Sequence, residues 1–599
     1  MSCVIAGALF ARRDPRLLKI PPYLSLLCIV VGVAWLFMLP LNEYSRRTYI
    51  SENALLPGQV HTYFGGSDQN VFRAYRHEVS ALENSTNAEV NDKLESIFRG
   101  IGLKVGRQNY TYHSSGNTYS GENVYAILQA PRGDATEAIV LVAAWRNVKG
   151  EFNRNGLALA LALTRYFKRW SLWSKDIILV VPPDSRSGTQ AWADAYHDGH
   201  DSSKVASLPI KSGALQGAVA IDYPQEGRFE GVHIVYDGVN GQLPNLDLIN
   251  SVVNIASGQM GMGSTIQEMW RHSDKYPDRL KTMLRGMLNQ GLGHAAGPHS
   301  SFIPYHVDAI TIQPIGNGWH DEMGLGRLIE GTFRSLNNLL EHLHQSFFFY
   351  LLMHKERFVS IGTYLPSAML IAANFTIMAI NLWIRSGHED ELVTTADKQE
   401  AGTPSTTAAE RDLVLPLGFV AAVHFLGFVP LFIFSHAPAT FLEPIHHGFT
   451  IFTVAAPFVA SHVLASQFTL RKQHYQLLSS FSLLCLGMFL SALATLNFSL
   501  AFLVGLLSTP LSFAQPTQSL VMRYGYSAIL TALSPGVVVT SASLLSALGL
   551  DVILQEAAFG WDVWGMYTPL VIWCVWWPAW IVGTFVVLGR PVDEKLKSA

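Results

Sequence analysis

Apolar residues fall into separate blocks along this 599-residue chain, and that division constrains what it can fold into. The stretch 22–41 is apolar over about 20 residues, enough to cross a ~30 Å hydrocarbon core. A second, much longer apolar region starts near Val359 and runs almost to the C-terminus. Between them, 42–358 has ordinary soluble composition. A cleaved leader fits 22–41 poorly, because the run is too long and no Ala-x-Ala follows it. Arg12, Arg13, Arg16 and Lys19 precede it, with Asp14 as the one acid. The positive-inside rule therefore keeps residues 1–21 cytosolic and sends residue 42 onward across the membrane.

Hydropathy places further spans near 359–384, 412–435, 448–470, 476–495, 497–514, 525–549 and 565–588. With the first that predicts about eight, the last six forming a bundle over 412–588. Loop charges give an independent check on orientation. "RKQHY" (471–475), Arg523 and the tail 589–599 all fall on the cytosolic side, while "HAPATFLEPIHHG" falls opposite. The polar, Ser/Thr-rich, aperiodic segment 385–411 reads as a disordered cytosolic linker. Charged groups are nearly absent inside the spans, which argues against an ion- or proton-coupled transporter. The end Lys595-Leu596-Lys597-Ser598-Ala599 resembles the lysine signals that retrieve membrane proteins to the endoplasmic reticulum.

The four cysteines, Cys3, Cys28, Cys485 and Cys574, all lie outside 42–358. No disulfide framework holds that segment, and its core must be conventional. A net charge of -3, with no basic stripe and no Gly-rich phosphate loop, excludes nucleic acid as a partner. Sequons at Asn84 and Asn109 would meet a glycosylating lumen. β-branched runs ("NVYAILQA", "AIVLVAA", "DIILVVP", "GAVAID", "VHIVY", "AITIQP") alternate with helical patterns at 67–99, 155–170, 188–197, 245–258, 276–290 and 324–352. Such alternation predicts an α/β domain with a mostly parallel sheet and flanking helices. Chemistry in such sheets collects at the carboxyl ends of the strands.

The order of those strand ends resembles the M28 (aminopeptidase-like) zinc peptidases. In that family the ends carry a His-x-Asp pair, a bridging Asp, a Glu-Glu pair, a further Asp and a late His. Here Trp145, Arg146 and Asn147 stand at the first place and Glu151 is the nearest acid at the second. Pro182 and Pro183 replace the Glu pair, with Asp184 one step off. Asp222 and His320 remain as remnant positions. A hydrolytic zinc site needs about three protein ligands and a base for the water. The resemblance thus implies the shape of a peptidase without its catalytic residues, and no cofactor.

Longer stretches carry a second, more specific resemblance. "RRTYISENALLPGQV", "GTQAWADAYHD", "NGQLPNLDL", "LNNLLEHLHQSFFFYLL" and "ERFVSIGTYLP" occur in this order. They are similar to the GPI-anchor attachment subunit of the GPI transamidase of the endoplasmic reticulum. The resemblance implies a non-catalytic subunit that binds the GPI lipid and helps present it to a cysteine-protease-like catalytic subunit. Its partners would be the other transamidase subunits, the lipid and the membrane. The rival readings are a membrane-tethered M28-type zinc peptidase and a lipid transporter or scramblase.

A GPI binder needs polar groups at the luminal membrane face and apolar grooves between spans. "TYISENA" follows the first span closely and "HLHQSFFFYLL" shortly precedes the second, so both should reach the same surface. Tyr49, Ser51, Glu52, Asn53, His344 and Gln345 are the expected GPI contacts. Leu336, Leu339, Leu340, Leu343 and Phe347 follow i, i+3, i+4, i+7 and predict one apolar helical face. In the last span Trp573, Trp576, Trp577 and Pro578 are candidates for a lipid groove, with a kink expected at Pro578.

Overall fold

The computed structural model describes residues 19–57, 59, 61–387, 410–467, 470–546 and 549–590, with side-chain surroundings for all but 464–467. The greater part of the expected N-terminal segment, linker and tail lies outside the described residues. The chain divides into two units: Met38–Thr363 with Phe559–Met566, and Met1–Phe37 with Tyr364–Ala558 and Tyr567–Ala599.

The Met38–Thr363 unit is an α/β structure. Just past the first apolar helix, β1 (Arg46–Arg47) pairs antiparallel with β11 (Arg357–Ser360), and β11 with β10 (Tyr350–His354). The segments next to the first two apolar helices are therefore hydrogen-bonded neighbours. An eight-stranded sheet forms the core. It comprises β2 (Lys104–Ser114), β3 (Asn117–Leu128), β4 (Glu137–Val142), β5 (Asp176–Val181), β6 (Ala214–Ile221), β7 (Phe229–Val235), β8 (Gly263–Thr265) and β9 (Ala309–His320), in the order β2-β3-β5-β4-β6-β9-β7-β8. The strands β5, β4, β6 and β9 run parallel, as expected. Their Ile/Val/Leu runs are buried because both faces of a parallel sheet are covered.

Four of the seven pairings are parallel, β7 with β8 included, and the sheet is antiparallel where β2, β3 and β5 pair and where β7 meets β9. Strand β2 alternates exposed and buried residues, as an edge strand does. Ser115 (φ 49°) and Gly116 (φ 75°) make the two-residue turn into β3, both in the left-handed region such a turn demands. The helix expected at 67–99 is two helices, Asp68–Ala81 and Asn87–Ile101, the second started by a Thr86/Glu89 capping box.

The helix expected at 324–352 ends at Asn337. Asn337 Oδ1 accepts from Ser174 N–H (2.9 Å), Lys175 N–H (3.2 Å) and the Ser174 hydroxyl (3.1 Å), a tertiary tie that overrides the apolar spacing beyond it. Leu339 and Leu343 are buried at 3% and 2% exposure, but Leu340 is 89% exposed, so the predicted single apolar helical face does not exist.

In the other unit, five helices among the described residues are long and apolar enough to cross a membrane: Ile20–Met38, Ile361–Ser386, Val414–His436, Lys472–Leu496 and Thr568–Leu588. A sixth would arise if Leu520–Ala532 and Pro535–Ser546, bent by 53°, act as one. That is fewer than the eight expected. The break at Ser534-Pro535 splits the 525–549 span, because proline cannot continue the hydrogen-bond ladder. Phe498–Phe513 spans 16 residues, or about 24 Å of helix, short of a ~30 Å core. Residues 448–467 of the expected 448–470 span belong to a 29-residue helix, Ala439–Gln467, with prolines at 444 and 457. Gly32 brings two of these helices close: a Cβ there would lie 2.9 Å from the Ser367 carbonyl oxygen.

Candidate functional site

Strand order reverses around β4, whose neighbours β5 and β6 follow it in sequence, and the carboxyl ends there are where an α/β sheet would bind a ligand. That crevice is filled. The Asn147 amide donates to Glu151 Oε2 at 2.9 Å and to Asp222 Oδ1 at 3.1 Å. Gln313 donates to Asp222 Oδ2 at 2.8 Å. Buried Asn153 donates to the carbonyls of Ala144 (3.0 Å) and Ile221 (2.8 Å) and accepts from Tyr223 N–H (2.7 Å). Trp145 packs on Phe152, and Trp145 N–H donates to the Pro182 carbonyl at 2.8 Å.

Burial pushes the Asp222 carboxyl above the usual carboxylate range, and the Gln313 and Asn147 hydrogen bonds pull it partly back. His320 is not part of this group. It sits seven residues past Gln313 on β9, against the rings of Phe229 and Trp319. A zinc ion does not fit these residues: a neutral amide occupies the place between the two acids, and both Asp222 oxygens already accept hydrogen bonds. Among the described residues no three His, Cys, Asp or Glu side chains come together where they could share a metal.

The stretch after β1 is mostly irregular, so its amides need partners from elsewhere. Two buried carboxylates supply them. Asp247 accepts from Ser51 N–H (3.1 Å) and Glu52 N–H (2.7 Å). Glu330 Oε2 accepts from Tyr63 N–H and Phe64 N–H, both at 2.9 Å. Asp247 is held in turn by its helix, Leu246–Asn254, which Asn245 caps. Asn245 N–H donates to Asp308 at 2.6 Å, and burial pushes the Asp308 carboxyl up to about 7. Neither Asp247 nor Glu330 was legible as a functional position. The available signal is an acid embedded in an apolar helical run, "LDLINSVV" and "GRLIEGTF".

This strap brings the expected contacts together. Glu52 is buried, with Gln345 Nε2 at 3.4 Å from Oε1 and His344 Nδ1 at 3.7 Å from Oε2. Its Oε2 has no hydrogen-bond partner. His344 is raised above the ordinary imidazole value, first by the His342 carbonyl that its Nδ1 meets at 2.8 Å and then by Glu52. Asn53 opens a short helical turn, Asn53–Leu55, and is exposed, as is Tyr49, whose carbonyl accepts from Asn250 at 2.9 Å.

The groove candidates lie elsewhere and are packed. Trp573, Trp576, Trp577 and Pro578 are all buried; Trp573 stacks on Phe434 at 5.1 Å and meets Phe449 edge-on at 5.4 Å. A lipid would have to displace neighbours to reach them. Next to Pro578 the helix contains a π-turn, Ile572–Trp576, in which Trp577 N–H reaches back to the Ile572 carbonyl. Both sequon asparagines are exposed, Asn84 between two helices and Asn109 on edge strand β2.

Residues 120–584 match the model of a family described as Gaa1-like, GPI transamidase component. A Saccharomyces cerevisiae relative, "GPI transamidase component GAA1", is 34% identical over 507 residues, covering 84% of this chain and 76% of that protein. Its Schizosaccharomyces pombe counterpart is 34% identical over 520 residues, covering 82% and 81%. Similar solved structures include a Fimbriiglobus ruber glutaminyl cyclase (TM-score 0.31, 12% identity, 46% of this chain and 97% of that one). A Zn-dependent exopeptidase from Parabacteroides distasonis has a TM-score of 0.28 at 12% identity, covering 47% of this chain and 100% of that one.

An Asp222→Asn exchange keeps the shape of the side chain and removes a charge that burial disfavours. Transamidation by complexes containing this variant should stay within about threefold of wild type. A loss of about a hundredfold in normally assembled complexes would mean that Asp222 takes part in the chemistry.

Proposed function

Since the chain belongs to the Gaa1-like, GPI transamidase component family, we propose that it is a non-catalytic subunit that binds the GPI lipid and presents it to a cysteine-protease-like catalytic subunit. The observation that carries this reading is the seam around Glu52: a buried carboxylate whose Oε2 accepts no hydrogen bond and meets the His344 imidazole at 3.7 Å, with Gln345 on its other oxygen. A buried carboxylate oxygen that accepts no hydrogen bond is unfavourable, and an ammonium group can donate one to it where the imidazole, at 3.7 Å, does not. The terminal phosphoethanolamine of a GPI anchor carries such a group, while Tyr49, Ser51, Asn53 and Gln345 offer hydroxyl and amide partners for the glycan and phosphates. The amide-filled crevice at Asp222 supports a presenting role over a hydrolytic one.

Asn53→Ala and His344→Ala should each lower GPI co-purification about tenfold, the size expected when one charge-assisted hydrogen bond is lost, while the other subunits remain bound. Failed assembly with unchanged GPI retention in the surviving complex would make the seam a subunit interface instead.

The same reading places the chain in the endoplasmic-reticulum membrane, with 42–358 luminal and both termini cytosolic. Glycosidase should then shift its gel mobility through Asn84 or Asn109, and the shift should disappear in the Asn84→Gln/Asn109→Gln double variant. A C-terminal tag protected from protease in sealed microsomes would contradict this topology.

A further inference from the structure

A cavity of about 670 Å3 opens in the Met38–Thr363 unit, lined among others by His61, Gln259, Trp319, His320, Asp321 and Arg327. None of these residues belongs to the Glu52 seam or to the Asp222 crevice. Its volume is in the range of small-molecule sites.

Several groups facing it lack partners. Arg327 makes no hydrogen bond or ion pair among the described residues; its Nε is buried, and its terminal nitrogens are the donors left for the cavity. His320 is 5% exposed, against the rings of Phe229 and of Trp319, the latter at 3.8 Å between centroids. Trp319 itself is 69% exposed, an indole face turned outward at the wall. Asp321 commits Oδ1 to the Gly324 N–H at 3.1 Å, and Gln259 commits its amide N–H to the Pro57 carbonyl at 2.7 Å. Asp321 Oδ2 and Gln259 Oε1 therefore remain as acceptors beside the donors of Arg327 and the two histidines.

Opposite charges in one wall disfavour a simple ion of either sign, because a phosphate meets Asp321 and an ammonium meets Arg327. A polyhydroxylated ring suits both, since each hydroxyl donates and accepts, and its C–H face can lie on an indole. We infer that this cavity is a binding site for a hexose-chain oligosaccharide, with Trp319 as the stacking platform and Arg327, Asp321 and Gln259 as the hydroxyl partners. The glycan could come from the GPI head group or from an N-glycan on a protein substrate. The inference does not rest on the Glu52 seam.

The test uses the purified full chain in a detergent without a sugar head group, with a linear mannotrioside as the probe. Calorimetry or saturation-transfer NMR should show saturable binding. Trp319→Ala and Arg327→Gln should each weaken it about tenfold. Trp319 is exposed, so its removal leaves folding intact, and a thermal scan checks Arg327→Gln. A GPI-derived glycan that binds in preference to an N-glycan-derived oligosaccharide identifies the first source; the reverse preference identifies the second. Absence of binding by all three sugars, insensitivity to both variants, or binding of inorganic phosphate alone would overturn the inference.

Discussion

Glu330→Ala should lower the stability of the purified full chain by about 3–5 kcal/mol, the range for removing one partner of a buried charge network. The side chain is fully buried. Beyond the two amides of Tyr63 and Phe64, its Oε1 accepts from the Tyr166 hydroxyl (2.8 Å) and meets Arg334 Nη2 at 2.9 Å. Arg334 in turn lies over the rings of Tyr63 and Trp170. Alanine would leave these donors without an acceptor and a guanidinium without its counter-charge. Thermal unfolding should shift down by on the order of 10 °C. Glu330→Gln keeps the volume and two acceptor sites, so it should fall between alanine and wild type. A midpoint within about 2 °C of wild type for the alanine variant would show that the strap is held by something else.

The second large effect is expected at Asp247, and it should be local. Asp247→Ala strips the acceptor from Ser51 N–H and Glu52 N–H, each worth about 1–3 kcal/mol if left unpaired and buried. Ser51 is only half-buried, so water can partly replace the carboxylate there. Loosening of 49–53 is therefore expected while Glu330 still holds 63–64. Hydrogen exchange at Ser51 and Glu52 should accelerate by about a hundredfold, and GPI retention should drop at least as far as in Asn53→Ala. Unchanged exchange would remove Asp247 from the account of the seam.

How much of this was legible in the sequence follows from local physics. β4, β5 and β6 were found because strands buried on both faces read as unbroken apolar runs. β2, "KVGRQNYTYHS", was missed because a half-exposed edge strand carries many polar residues. Leucine spacing suggested a helix through 352, and nothing local signals that Asn337 is claimed by Ser174 and Lys175. The Glu52 seam was legible because its two halves flank adjacent apolar helices, a matter of connectivity alone. Its anchors were not, because an acid on a helix is ordinarily a solvated one. Only the folded chain shows that Asp247 and Glu330 point inward at backbone amides. The tryptophans of the last apolar helix were singled out by composition, which does not reveal that Phe434 and Phe449 already cover Trp573.

The central claim, that the Glu52 seam touches the GPI head group, is tested most directly by proximity. A photoreactive side chain in place of the exposed Asn53, in the full chain within its native complex, should cross-link on illumination to the GPI lipid. Glu52→Gln in the same background should reduce that product about tenfold without changing which subunits co-purify. Cross-links exclusively to another protein subunit, undiminished by Glu52→Gln, would contradict the account and reassign the seam to complex assembly.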